Sequence, residues 1–344
     1  MPFNKALIFK KVPQGLPVPG QDLAIEPVAE IAIDSPPEHG LLIKSLFASF
    51  DPYMRGRMRP VEHKSYTPAY HLNTPIDSFV IGQVIQSDNP AYQAGQLIIG
   101  QLPIQEYVAI DEVSIERVKP LENPLGLPDV RVFLGPVGMP GLTAYSSFYE
   151  IGKPKKGDTI FISAASGAVG QIVAQLAKRE GLQVIGSVGS DDKLDYIINK
   201  LGFDGGFNYK CGRPRDALAR LAPEGLDIYY DNVGGEHLEA ALDTLNDFGR
   251  IVACGMISDF SGRPYPVKNL HKVITKRLAM RGFIVSDQEF GPAYFAEHQK
   301  NMQQWIKEGS IQCLFHETVG IEHAAEGLVG IFQGKNKGKA LLRF

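Results

Sequence analysis

Apolar and polar positions follow two different rhythms along this chain. Over residues 1–130 the apolar runs are short, 41–43, 79–85 and 96–100 among them, and are broken by proline and glycine, the pattern of an irregular β-rich domain. From 157 to 285 strand-like runs alternate with amphipathic helices, with strands predicted over 160–163, 184–188, 227–230, 251–254 and 280–285. That alternation predicts a parallel sheet with helices on both faces. Val169, Ile172, Val173, Leu176 and Ala177 recur at helical spacing, and Leu194, Ile197, Ile198 and Leu201 give the next helix its buried stripe before Gly202 ends it. A long helix over 294–308 is followed by strand, helix and strand over 314–319, 321–332 and 340–344. By pattern alone this tail either extends the parallel-sheet domain or rejoins the first.

The turn between the first strand of the parallel sheet and its helix reads Ser163-Ala164-Ala165-Ser166-Gly167-Ala168-Val169-Gly170. Small residues there let phosphate oxygens approach backbone N–H groups, and the helix that follows points its positive dipole end at them. Ala165 stands where the usual G-x-G-x-x-G has its first glycine, so the turn by itself is equally an ordinary tight connection. Proteins that bind NAD in this way place an acidic residue roughly 20 positions further on, at the tip of the second strand, to hold the ribose 2′-hydroxyl. Here that tip reads Gly186-Ser187-Val188-Gly189-Ser190, and the first carboxylates, Asp191 and Asp192, fall in the first turn of a helix with Lys193 behind them. Small residues plus a cation make room and charge for a 2′-phosphate, which favours NADP over NAD. The structural alternative is that the aspartates cap the helix and Lys193 is a solvated charge.

A length of 344 residues predicts two domains, and 44% hydrophobic with 21% charged residues is an ordinary globular balance. A formal net charge of -3, with no basic run, gives no electrostatic reason to expect nucleic acid. The apolar core of residues 1–11 spans only 6–9, far short of a signal-peptide or membrane segment, so the expected location is cytoplasmic and no membrane partner is expected. Three widely spaced cysteines, Cys211, Cys254 and Cys313, supply neither a disulfide framework nor a zinc ribbon. Gly334 to Ala340 reads G-K-N-K-G-K-A, but its glycine spacing is one short, Ser/Thr is missing after Lys339 and no strand precedes it, so it is not a P-loop. His316-Glu317 begins a zinc-protease look-alike in which Gly320 replaces the second histidine. No G-x-S-x-G elbow is present.

Several further segments occur in a telling order. They are Asp51-Pro52-Tyr53-Met54-Arg55-Gly56-Arg57-Met58, Met139-Pro140-Gly141-Leu142-Thr143-Ala144-Tyr145, the small-residue turn, Gly189-Ser190-Asp191-Asp192-Lys193, Phe207-Asn208-Tyr209-Lys210, Asp231-Asn232-Val233-Gly234-Gly235, Cys254-Gly255-Met256-Ile257-Ser258 and Gly282-Phe283-Ile284-Val285. Together they resemble the zinc-independent medium-chain dehydrogenase/reductase superfamily, in its prostaglandin reductase, leukotriene B4 dehydrogenase and alkenal double-bond reductase branch. The resemblance covers nearly the whole chain. It implies an α/β architecture in which a GroES-like β-rich catalytic domain (1–130 and 310–344) accompanies a Rossmann NADP-binding domain (131–309), with the tail rejoining the first domain. It also implies NADPH held by Gly167, Ala168, Val169 and Gly170, by Lys193 and Tyr209 at the 2′-phosphate, and by Asn232. Cys254, Gly255, Ser258, Phe283, Ile284, Val285 and Asn336 complete the implied contacts, with no metal. A homodimer is expected by the same analogy.

The activity implied is transfer of a hydride from NADPH to the β-carbon of an α,β-unsaturated aldehyde or ketone, followed by protonation of the enolate at the α-carbon. Negative charge developing on the carbonyl oxygen needs a hydrogen-bond donor. Phe260 stands where many members of the family carry a tyrosine, and phenylalanine cannot donate. The role passes to the nicotinamide ribose hydroxyl, with Tyr53 as the side-chain candidate; as a structural residue Tyr53 would be a pocket wall. Arg55 and Arg57 read as structural ion-pair partners or surface charges. Two other enzyme readings stand beside this one, a quinone oxidoreductase and a dehydrogenase of hydroxylated lipids. A catalytically silent NADPH-binding protein is a reading of another class, favoured by Phe260. Segments 62–73 and 259–270 are expected to line the substrate pocket.

Overall fold

The computed structural model describes residues 4–28, 35–262 and 265–344. Positions 1–3 of the N-terminal segment and 263–264 of the expected pocket segment therefore lie outside the described residues. The chain divides into two compact units, one of residues 1–126, 315–336 and 340–344, the other of 127–314 and 337–339.

In the first unit a mixed-length β-sheet is ordered Phe315–Val319, Lys339–Arg343, Leu41–Ser49, Asp77–Ser87, Leu97–Pro103, Val118–Pro120, with Tyr107–Ile110 also paired to Leu41–Ser49. The strand Lys339–Arg343 pairs antiparallel with Leu41–Ser49, so the C-terminal tail is part of this sheet. A smaller sheet joins Leu23–Pro27, Lys5–Phe9 and Thr74–Pro75. The core of this unit is mainly aliphatic, with Leu7, Leu41, Ile43, Val80, Ile98 and Leu328 among its buried members beside Phe9, Phe50 and Tyr70. The strand Leu97–Pro103 alternates buried with more exposed residues, as a strand that buries one face must, whereas Leu41, Leu42 and Ile43 of the central strand are buried in succession.

In this unit Arg55 and Arg57 are structural pins. Arg57 forms an ion pair with Asp77, donates to the Pro68 carbonyl at 3.0 Å and lies 4.0 Å over the Tyr70 ring. Arg55 donates through Nε to the Gly15 carbonyl at 2.8 Å. Both hold loops around the short helix Tyr53–Arg57.

The second unit is built on six parallel strands ordered Gly205–Asn208, Gln183–Val188, Thr159–Ile162, Leu226–Asp231, Leu245–Ala253, Ala279–Gly282. Sequence order third-second-first-fourth-fifth-sixth is that of a doubly wound dinucleotide-binding sheet, and ligands bind such sheets at the carboxyl ends of strands where the order reverses. Here the reversal falls between Thr159–Ile162 and Leu226–Asp231. Helix Gly170–Arg179 follows the first strand and buries Ile172, Val173, Leu176 and Ala177, the stripe read from the sequence. Helix Asp191–Asn199 follows the second with Asp191 and Asp192 in its first turn. No helix among the described residues is long and apolar enough to cross a membrane.

Three boundaries differ from the sequence reading. The last strand ends at Gly282, so Phe283, Ile284 and Val285 are not a strand end. They form a turn instead: the Asp287 N–H donates to the Ile284 carbonyl at 2.9 Å and the Gly291 N–H to that of Val285 at 2.8 Å. The apolar run continues past the sheet because Phe283 packs on Phe290, ring centroids 4.9 Å apart. Likewise Cys254 lies just past Leu245–Ala253, and the long helix begins three residues early, at Gly291 with Pro292 in its first turn, where proline loses no helical hydrogen bond.

Candidate cofactor and active site

The small-residue turn occupies the end of the first strand of the parallel sheet. Ala165 donates to the Ser187 carbonyl at 2.9 Å and Gly167 to that of Ala164 at 2.9 Å, which folds the turn back on the second strand. Val169, at the mouth of the helix, has no backbone acceptor for its N–H group among the described residues. Unsatisfied N–H groups at a helix start are an anion site in waiting. Gly170 is fixed by space: a β-carbon there would sit 2.6 Å from the Ala164 carbonyl oxygen and 2.9 Å from the Ala165 α-carbon. The helix can therefore begin this close to the strand only with glycine at its first position.

At the tip of the second strand the charges gather. Lys193 is 8% exposed, and burial pushes its ammonium group downward from its ordinary range. Asp192 opposes that shift, while the positive charges of Lys210 and Lys337 add to it. The two carboxylates beside this group are already engaged. Asp191 accepts from the Asn208 amide at 2.9 Å, and Asp192 accepts from the Ser190 hydroxyl and pairs with Lys337 at 3.3 Å. Tyr209 stands over the same strand tip, its hydroxyl oxygen 3.1 Å from where a Gly189 β-carbon would be. A buried lysine within reach of two further positive charges, at a glycine-lined strand tip that also carries a phenol, has the chemistry of donors suited to a phosphate dianion. No carboxylate occupies the strand tip itself.

An aromatic stack positions Tyr209 from below. Phe161, Tyr229, Phe207 and His237 lie face to face, with Phe161 5.1 Å from Tyr229 and 5.8 Å from Phe207, and His237 meets the Tyr209 ring edge-on at 5.2 Å. The histidine was scattered among eight in the sequence, with nothing local to mark it as buried.

Across the point where strand order reverses, Asn232 is clamped to Ser163. Its backbone N–H donates to the Ser163 hydroxyl at 2.9 Å and its side-chain amide to the Ser163 carbonyl at 2.8 Å. Asp231 underpins this loop, one carboxylate oxygen accepting from the Tyr229 hydroxyl at 2.7 Å, Val233 N–H at 2.9 Å and Gly234 N–H at 2.7 Å. The Cys254–Ser258 segment is laced to the same loop. Cys254 and Gly255 N–H groups donate to the Asp231 carbonyl at 2.9 and 3.0 Å, and the Ser258 hydroxyl donates to that of Val233 at 2.6 Å. Burial pushes the Cys254 thiol up to about 12, so it is inert as a nucleophile and can serve the site only by its shape and backbone.

The sequence-predicted residues of the second unit thus fall into three groups on one sheet edge. Gly167, Ala168, Val169 and Gly170 form the turn at the first strand. Lys193 and Tyr209 stand at the second and third strands. Asn232, Cys254, Gly255 and Ser258 follow the fourth and fifth, and Phe283, Ile284 and Val285 the sixth. Lys210 and Lys337 were not singled out by sequence reasoning; Lys210 lay inside a quoted motif, and Lys337 inside the tract dismissed as a P-loop. Asn336 is half-buried at the end of the first unit, where the chain passes to the second at Lys337. Phe260 is half-buried in a 3-10 turn, Ile257–Ser261.

Tyr53 belongs to the first unit and opens its helix. It is half-buried. Burial, reinforced by the Asp51 carboxylate, holds its phenol well above the ordinary range, with Arg57 and a hydrogen bond with Ser78 working the other way. The phenol therefore keeps its proton at neutral pH. Among the described residues no three His, Cys, Asp or Glu side chains gather as a metal site.

A doubly wound sheet with a small-residue turn at its first strand is the architecture of a dinucleotide-binding protein. Residues 5–118 match the family model described as the N-terminal domain of oxidoreductase, and 168–300 that of zinc-binding dehydrogenase. The NADP-dependent oxidoreductase RED1 of Cochliobolus heterostrophus is 51% identical, over 99% of this chain and 97% of that protein. The NADP(+)-dependent 2-alkenal reductase of Nicotiana tabacum is 39% identical, over 98% and 97%. Among solved structures, CurA from Vibrio vulnificus in complex with NADPH superposes with a TM-score of 0.89 at 31% identity, over 98% of each chain. The chain belongs to the zinc-independent medium-chain dehydrogenase/reductase superfamily. It is an NADP-dependent oxidoreductase, and its cofactor is NADPH.

Proposed function

We propose that this protein reduces the carbon–carbon double bond of α,β-unsaturated aldehydes and ketones. The observation that carries this reading is the likeness, over 98% of the chain, to the tobacco 2-alkenal reductase. NADPH, when bound, supplies the hydride that reaches the β-carbon of the substrate. The chain's own residues do the rest. The turn Gly167, Ala168, Val169 and Gly170 holds the pyrophosphate against the helix start; Lys193 and Tyr209, with Lys210 near Lys193, hold the 2′-phosphate. Asn232, Cys254, Gly255, Ser258, Phe283, Ile284, Val285 and Asn336 shape the remainder of the cofactor site. A protein with this cofactor site and no chemistry would remain a binding module, so the reading needs a proton source.

Tyr53 is that source in this proposal. As the β-carbon gains a hydride, electrons move onto the carbonyl oxygen and an enolate forms; the α-carbon then takes a proton and the carbonyl is restored. A phenol that stays protonated at neutral pH can donate to the enolate and recover its proton from water. We expect Tyr53→Phe to lower turnover of enones about tenfold with NADPH affinity unchanged. Unchanged turnover would make Tyr53 a pocket wall.

The wider reading is tested by NADPH oxidation on a panel of 2-alkenals, enones, quinones and, in reverse, hydroxylated lipids. Highest kcat/KM on the activated alkenes is the expected result. Preference for quinones or for hydroxyl oxidation would replace the proposal, and tight NADPH binding with no turnover on any of them would mark a silent binding protein.

A further inference from the structure

Lys337 lies far from the small-residue turn in sequence, yet the fold brings its segment onto that turn. Gly338 forms a parallel bridge with Gly167, and its N–H donates to the Ser166 carbonyl at 3.0 Å. The next residue, Lys339, donates its N–H to the Leu314 carbonyl at 2.8 Å. Gly338 has φ +85°, and a β-carbon there would sit 2.0 Å from the Leu314 carbonyl oxygen, so only glycine lets the segment lie this close. The backbone after Lys337 is thereby fixed, and the side chain is delivered to the start of helix Asp191–Asn199. Its ammonium group is 3.3 Å from Asp192 Oδ2 and 5.6 Å from the centre of the Tyr196 ring. Lys193, the residue after Asp192, feels the Lys337 charge.

We infer that Lys337 is a specificity-determining residue, a third cation of the 2′-phosphate pocket that discriminates NADPH from NADH. The inference rests on the cofactor reading above and deepens it. A buried lysine, a neighbouring lysine and a phenol already make a phosphate site, but Lys337 enters it from a different part of the fold. Asp192 holds the ammonium group near the pocket before any phosphate arrives, which spares part of the ordering cost of a long side chain on binding. A dianionic phosphate draws charge-assisted hydrogen bonds from such a cation more strongly than a hydroxyl does. The same ion pair ties the 337–339 segment to the helix start, so the cation is placed by backbone that also borders the pyrophosphate turn.

The test uses the full protein and two fragments of the cofactor, 2′,5′-ADP and 5′-AMP, with affinity measured by calorimetry. Wild type is expected to prefer 2′,5′-ADP. Lys337→Met is expected to weaken 2′,5′-ADP about tenfold and leave 5′-AMP unchanged, while Lys337→Arg retains most of the preference. The steady-state KM ratio for NADPH and NADH should move by the same factor. Equal loss on both fragments would show that Lys337 only orders the segment, and no loss on either would remove it from the pocket; both outcomes overturn the inference. If wild type itself does not distinguish the fragments, it is the 2′-phosphate reading around Lys193 that fails.

Discussion

Lys193→Ala is expected to weaken NADPH by about 100-fold and to change the NADH affinity by no more than about twofold, so that the cofactor preference collapses. Lys193 sits 8% exposed at the mouth of the second strand, with its charge opposed by lysines at 210 and 337 and relieved in part by Asp192. A cation kept in so costly a place is stabilised most by an anion that reaches it. Charge-assisted hydrogen bonds to a buried cation contribute about 2–3 kcal/mol, and each 1.4 kcal/mol is about a factor of ten in affinity. NADH carries a hydroxyl where NADPH carries the phosphate, so the loss should fall on one cofactor only. Calorimetric titration of the variant with both cofactors checks this. A parallel fall in both would mean that Lys193 supports the fold of the strand tip and does not read the phosphate.

Acid is expected to destabilise the second unit steeply between pH 6.5 and 4, through two histidines held neutral in the fold. Burial pushes His237 from 6.5 down to about 4, and the same cause does so for His298. His298 is fixed as a neutral ring: Nε2 lies 2.9 Å from the Pro136 carbonyl, to which it donates, and Nδ1 accepts from the Gln299 amide at 3.2 Å. His237 lies in the aromatic stack, and its Nε2 has no partner among the described residues. The sign follows from the direction of the shift. Below pH 6.5 the unfolded chain takes up protons on these rings and the folded chain does not, so stability is fully present above that pH. It falls as the pH drops towards 4, where the folded rings protonate too. Each shift corresponds to about 3 kcal/mol, or about 6 kcal/mol for the pair. Denaturant midpoints measured across this range should show it. His237→Phe keeps an aromatic ring in the stack and removes one titrating group, so it should flatten the acid limb by about half. An acid limb as steep as that of wild type would exclude His237 as its source.

How far the sequence carries depends on whether the controlling interactions are local. The parallel-sheet unit was legible because its strands and helices declare themselves by periodicity, and the turn at 163–170 by composition. Lys193 was legible for the same reason. The path from the small-residue turn through one helix and one strand has a nearly fixed length, so spacing alone brings the residue to the strand tip. Phe283 to Val285 were misplaced because an apolar run looks alike whether it continues a strand or, as here, leaves it to pack Phe283 on Phe290. The run carries no mark of where the pairing partner ends.

By itself the sequence determined the α/β class, the doubly wound texture of residues 157–285, the small-residue turn at 163–170 and the absence of an acidic residue at the second strand tip. All of these depend on neighbours within about one βαβ unit. Only the tertiary structure decided that Asn232 is clamped to Ser163 across the reversal of strand order, that His237 lies buried against Tyr209, and that Lys337 returns beside Asp192. These are contacts between residues distant in the chain, set by which strand pairs with which. The same Gly-Lys-Asn-Lys-Gly-Lys tract that fails as a phosphate loop by its own spacing places a cation beside Asp192 once Gly338 has docked against Gly167. Backbone pairing, and not the local pattern of side chains, gives that lysine its neighbours.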